Sequence, residues 1–132
     1  MQSRLTAIAV LCFASALGSA QAMTQDEYKA SKDSIEATYK TDKKACDAMK
    51  DNAKDVCEKE AKGKEKIAKA ELEQSYKPSD SHLRKVNEAK ADSAYDVATE
   101  RCEDQKGAAE RACKSDAKVT HEAAIKAAKG KI

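Results

Sequence analysis

From Met23 onward the large apolar residues are sparse and recur at helical intervals. Tyr28, Ile35, Tyr39, Cys46 and Met49 form one such stripe, and that spacing lines them up on one face of an α-helix. Ala, Lys, Glu and Gln fill most positions between, and these are among the best helix formers. Acid-to-base pairs at i,i+4 run along the chain: Glu36–Lys40, Asp55–Lys59, Glu58–Lys62, Glu60–Lys64, Glu65–Lys69, Glu73–Lys77, Glu110–Lys114 and Glu122–Lys126. Each such pair adds about 0.2–0.5 kcal/mol to a helix. Strand signals are absent, so the pattern predicts an all-α chain.

The breaks set the number of helices. Thr24 with Glu27 reads as a capping box that opens the first helix. Pro78 stops a helix, and Ser79, Asp80 and Ser81 behind it offer caps for the next. Asp51-Asn52 is a second break, in which Asn52 ends one helix in a left-handed turn or caps the following one, with Asp55 at N3. Gly107 holds the matching place later in the chain and suits a C′ position. Gly63 is a competing break, but strong helix formers flank it. The expected helices are 24–50, 53–77, 80–105 and 108–129. Their near-equal lengths suit a four-helix up-down bundle.

A shift of 56 residues superposes the chain on itself. Tyr39, Cys46 and Cys57 fall on Tyr95, Cys102 and Cys113, and Lys50, Ala53, Ala61 and Lys62 recur at Lys106, Ala109, Ala117 and Lys118. Tyrosine and cysteine are scarce here, so the match points to a duplicated unit. The expected organisation is 1–22 as a leader, 23–77 as the first helical repeat and 78–132 as the second, in one mature domain.

Residues 1–22 read as a secretory signal peptide. Arg4 supplies the positive start, Leu5 to Leu17 an apolar run, and Ala20-Gln21-Ala22 a small-x-small site that places cleavage between Ala22 and Met23. The run is shorter than the roughly 20 residues of a comfortable membrane span. Cys12 lies inside it, preceded by Leu11 where a lipoprotein cysteine would need a small residue. Cleavage leaves 110 of the 132 residues and removes only Arg4 from 25 Lys+Arg and 23 Asp+Glu, for a net charge near +1. Those charges are interleaved in sign, which argues against a nucleic-acid patch or a polybasic membrane tail. No second apolar segment follows, so no membrane span is expected after cleavage.

The core must be thin. Apart from the tyrosines, the large side chains after residue 22 are isolated ones such as Val56, Ile67, Leu72, Val86, Ile125 and Ile132. A core of that size usually needs staples. Export to an oxidising compartment would let Cys46, Cys57, Cys102 and Cys113 provide two disulfides.

Topology and connectivity depend on each other. On one unbroken helix Cys46 and Cys57 would lie about 16 Å apart, too far for a bond that needs Cα atoms about 5–6 Å apart. If the chain turns at Asp51-Asn52 and at Gly107, each pair closes its own hairpin as Cys46–Cys57 and Cys102–Cys113. If two long helices fold back once at Pro78, the pairs become Cys46–Cys113 and Cys57–Cys102. That alternative, one long two-helix antiparallel hairpin, would resemble the twin-cysteine helical hairpins of the mitochondrial intermembrane space. Those carry nine residues between cysteines, where this chain has ten. Cys46–Cys102 with Cys57–Cys113 would require parallel neighbours. The turn signals midway between the cysteines favour the first pairing.

The run Ala45-Cys46, Asn52 to Cys57 and Glu60 to Lys66 resembles a group of small, mostly uncharacterised exported proteins of Gram-negative bacteria, rich in Ala, Lys and Glu. The resemblance covers most of the mature chain. It implies periplasmic residence and duplicated C-x10-C units, and it brings no catalytic residues with it.

Candidate chemistry is weak. His82 and His121 are the only histidines; they lack the spacing of a structural zinc site, and paired cysteines have no thiolate to offer a metal. Catalytic dithiols favour C-x-x-C at a helix N-terminus, whereas these pairs are C-x10-C, as suits structural disulfides. A hydrolytic nucleophile needs a partnered base and an oxyanion site, and nothing in the chain builds one. No catalytic residue, cofactor or metal ligand is therefore assigned. Tyr28 and Tyr39 share a face as bundle core, or alternatively as a partner-binding stripe.

Two functions fit the sequence. One is a non-enzymatic periplasmic structural or interaction protein that engages envelope or periplasmic proteins, or itself. The alternative is a stress-linked holdase that loosens in acid and exposes apolar faces.

Overall fold

The computed structural model describes residues 22–130. The leader read at 1–22, apart from Ala22, lies outside the described residues, as do Cys12 and Ile132. Ala22 and Met23 precede the first helix. Four helices follow: α1 (Gln25–Cys46), α2 (Asp51–Tyr76), α3 (Asp80–Cys102) and α4 (Gly107–Gly130). They run up, down, up and down as an all-α four-helix bundle built from two disulfide-stapled hairpins. The one-hairpin alternative is excluded, because α1 and α2 are separate helices joined by a turn and each cysteine pair closes within its own hairpin.

The start signals act as the sequence predicts. Thr24 caps α1 reciprocally: its hydroxyl accepts from the Glu27 amide, and the Glu27 carboxylate accepts from the Thr24 amide at 2.7 Å. Ser79 caps α3 by accepting from the His82 amide at 3.0 Å.

Both hairpin turns differ from expectation in a shared way. α1 ends at Cys46 and α3 at Cys102, a few residues before the expected ends. The left-handed residues are Asp51 (φ 51°) and Gly107 (φ 62°). Each begins the second helix of its hairpin, so Gly107 is not the C′ residue of α3. Lys50, with no side-chain hydrogen bond, occupies the N-cap of α2. Asn52 caps nothing; its Nδ2 donates to the Glu100 carbonyl of α3 at 3.0 Å.

Packing is strictly serial. α1 packs on α2, α2 on α3 and α3 on α4, and among the described residues no other pair of helices makes close contact. α2 meets α1 through Cys57, Glu73 and Tyr76 and meets α3 through Asn52, Glu60 and Gly63. At 100° per residue these groups sit on nearly opposite sides of the helix, roughly 150° apart. α3 likewise gives Ser93 and Arg101 to α2, and Asp92, Tyr95 and Cys102 to α4. The bundle is thus an open layer rather than a closed ring.

Serial packing explains the small core. The buried apolar residues are Cys46, Ala61, Leu72, Val86, Ala91, Cys102 and Ala128. Gly63 is not a break. It lies inside α2, buried against Ser93 of α3.

Candidate functional site

The first candidate region is the stapled end. Both disulfides sit at the same end of the layer, where α1 turns into α2 and α3 turns into α4. Cys46–Cys57 and Cys102–Cys113 each bring their Cα atoms to 5.6 Å. Cys46 and Cys102 are fully buried, while Cys57 and Cys113 are half-buried. These four cysteines are paired, so none of them offers a nucleophilic or metal-binding thiolate in this state. Among the described residues no group of three or more His, Cys, Asp or Glu side chains is placed to hold a metal.

The second region is the α2–α3 seam, which joins the hairpins. Arg101 donates to Glu60 at 2.6 Å, Lys90 meets Glu71 at 2.7 Å and Lys59 meets Glu100 at 3.8 Å. Several side chains expected to pair within one helix therefore reach across helices instead. Lys64 turns to Asp42 of α1, and Glu73 accepts from the Tyr28 hydroxyl. Glu65–Lys69 and Glu110–Lys114 do form at i,i+4, at 2.7 and 2.9 Å. These pairs are mostly exposed and give register more than stability.

The tyrosines pack between helices. Tyr28 lies against Tyr76 with ring centroids 4.6 Å apart. Tyr95 stacks on His121 at 4.8 Å, and His121 Nε2 lies 2.7 Å from Asp92 Oδ1. This contact joins α3 to α4. Cys113 and His121 share the α3-facing side of α4, but the Cys113 sulfur is committed to Cys102.

The described residues form open grooves: one of about 200 Å³ between α1 and α2 over Ile35, Thr38, Tyr39, Lys64 and Ala68, and one of about 420 Å³ over the α2–α3 seam at Ile67, Ala94 and Val97. Sequence reasoning missed both grooves and the seam, because each depends on contacts between distant segments. Comparison with protein-family models, curated proteins and solved structures finds no match.

Charge perturbations predict how stability depends on pH. The Tyr28 hydroxyl is raised above its usual range, first by its hydrogen bond to Glu73 and then by burial. Lys69 is raised chiefly by its bond to Glu65, and Lys114 by Glu110 and Glu103. A raised folded-state value means that the stabilisation is complete below the unfolded value and is lost as pH climbs through the folded one. Glu27 and Glu110 are lowered, the first by Thr24 and the second by Lys114. Their contribution is present above the unfolded value and lost as pH falls through the folded one. The expected melting profile is a plateau that declines above about pH 10 and below about pH 4. Tyr28→Phe makes the alkaline decline shallower and leaves the acid limb alone. Circular-dichroism melts across pH read this, and a Tyr28→Phe profile parallel to wild type above pH 9 contradicts it.

Proposed function

We propose that this chain is a non-enzymatic, exported protein of the periplasm, built from a duplicated stapled hairpin, whose role is structural or interactive. The observation that carries the reading is the open layer itself, in which each helix packs only on its neighbours along the chain and two broad sides are left. Two disulfides support an oxidising compartment, and no helix of the described residues is long and apolar enough to cross a membrane. The leader read at 1–22 supports export.

The holdase alternative is less well supported. A holdase must offer apolar surface when it loosens, and the buried set here is mostly Ala and Cys, with Leu72 and Val86 as the large members. Any new apolar area would come chiefly from half-buried side chains such as Ile35, Ile67 and Val97.

Fractionation with in-cell cross-linking tests the proposal. The expected result is a periplasmic species that begins at Met23, has no free thiol and recovers a reproducible set of envelope proteins. A cytoplasmic species with reduced cysteines removes the location, and cross-links that differ between replicates remove the role. Acid-triggered dye binding together with suppression of client aggregation would favour the holdase.

A further inference from the structure

The two staples share an asymmetry that closing a hairpin does not require. Cys46 and Cys102 are 0% and 1% exposed, whereas Cys57 and Cys113 are half-buried. The buried partner is in each case the last residue of the first helix of its hairpin, α1 or α3. The half-buried partner lies in the second turn of the second helix, α2 or α4.

Thiol exchange is sensitive to this arrangement. A thiolate attacks one sulfur of a disulfide and expels the other, so access to the first and the stability of the second both set the rate. While the helices are packed, an external thiol reaches neither Cys46 nor Cys102. It meets only Cys57 and Cys113, and attack there expels Cys46 and Cys102.

Both are poor leaving groups. Burial in apolar surroundings disfavours a thiolate, and the carbonyl end of a helix disfavours negative charge. The Cys46 Sγ also lies 3.3 Å from the Asp42 carbonyl oxygen, an acceptor that suits a protonated thiol and repels a thiolate. Positive side chains at these helix ends offset little of this. Lys43 and Lys44 of α1 are exposed to screening water, and Arg101 of α3 is exposed and engaged by Glu60 at 2.6 Å. The sulfurs that would leave more readily, those of Cys57 and Cys113, stand behind sulfurs that cannot be reached.

We propose that Cys57 and Cys113 are the sites at which small thiols add to this protein, and that joining a reachable sulfur to a poor leaving group makes both staples slow to open. In the first step the thiolate bonds to the Cys57 sulfur and the Cys46–Cys57 bond breaks. The electron pair of that bond leaves on the Cys46 sulfur, which takes a proton from water, so one disulfide replaces another. A second thiolate then attacks the added sulfur, giving the oxidised small thiol and a Cys57 thiolate. Two electrons thereby pass from two small thiols to the staple. Cys113 and Cys102 follow the same course. The inference goes beyond the structural or interactive role and needs only that the staples be closed.

Glutathione is the probe. The protein as isolated from its producing cell, with both disulfides intact, is exposed to glutathione at a concentration raised until a minor fraction of the staples opens. Samples are quenched in acid at early times, alkylated with N-ethylmaleimide and digested with trypsin for mass spectrometry. The expected products carry glutathione on the 55–59 and 112–114 peptides and maleimide on 45–50 and 102–106, outnumbering the reverse pattern at least about tenfold. Opening is also at least about tenfold slower than in the same protein unfolded in urea. Glutathione chiefly on Cys46 or Cys102 overturns the proposal. So does an even split, which means that the staples open through unfolded chains in which every sulfur is reached. A rate in the folded protein equal to that in urea overturns it as well.

Discussion

Reduction of both disulfides unfolds this protein at temperatures where the oxidised form is fully helical. Each bond closes a loop with a sequence separation of 11, for which chain entropy gives about 2.5–3 kcal/mol. Two such loops contribute about 5–6 kcal/mol, against a total of about 5–15 kcal/mol for a typical domain. The edge helices are the most dependent. α1 packs only on α2 and α4 only on α3, and each of these two helices contributes a single buried residue. Thermal melts with and without reductant measure the effect, and Cys46→Ala/Cys57→Ala and Cys102→Ala/Cys113→Ala variants separate the hairpins. A melting point that moves by only a degree or two on full reduction would mean that the helices hold without their staples. Tryptic mapping of the non-reduced protein checks the pairing itself: the 45–50 peptide must link to 55–59, and 102–106 to 112–114.

The second large effect lies at the seam. A Cβ added at Gly63 would fall 1.8 Å from the Ser93 hydroxyl oxygen and 2.9 Å from its Cβ. The hydroxyl can turn about χ1, but the Cβ is fixed to the α3 backbone, so α2 and α3 must part. Overpacking of this kind costs about 1–3 kcal/mol. Replacing a mid-helix glycine by alanine returns up to about 1 kcal/mol of helix propensity. Gly63→Ala is therefore net destabilising by up to about 2 kcal/mol, and Gly63→Val by more. Ser93→Gly removes both opposing atoms and should rescue Gly63→Ala. A double-mutant cycle by urea denaturation is expected to show coupling above about 1 kcal/mol. Additive single-mutant effects would mean that the helices are not in contact at this point.

The local signals in this sequence were readable because their physics is local. A capping box spans three residues, and Thr24 and Glu27 meet wherever the rest of the chain goes. The proline break at Pro78 and the serine cap behind it are equally self-contained. The turn signals midway between the cysteines favour the observed pairing, but the distance limit excludes only a bond along one unbroken helix, so the helix ends had to be placed before the pairing was settled. Gly63 was read as a possible break because its partner, Ser93, is 30 residues away and invisible to any window. Asn52 reads as a helix end or a cap for the same reason, since the carbonyl it binds belongs to Glu100. The helix ends were overestimated at 50 and 105. Ala48, Met49 and Lys50 favour helix, but bringing Cys46 to Cys57 requires the chain to leave the helix before them. The i,i+4 pairs were legible as spacing, whereas only packing decided that Glu60 and Lys64 would look to α3 and α1.

Serial packing combined with two short covalent loops has a mechanical consequence. A chain pulled from its ends meets no central core that must fail at once. The outer helices can peel from the layer singly, so resistance to force is spread over several small events. The staples then cap the extension. Each hides the ten residues between its cysteines, a sequence separation of 11 and roughly 36–40 Å of contour length. Oxidised, the molecule is a short tether with fixed stops; reduced, the same chain lengthens by roughly 60–70 Å, once the 5.6 Å that each bond already spans is subtracted.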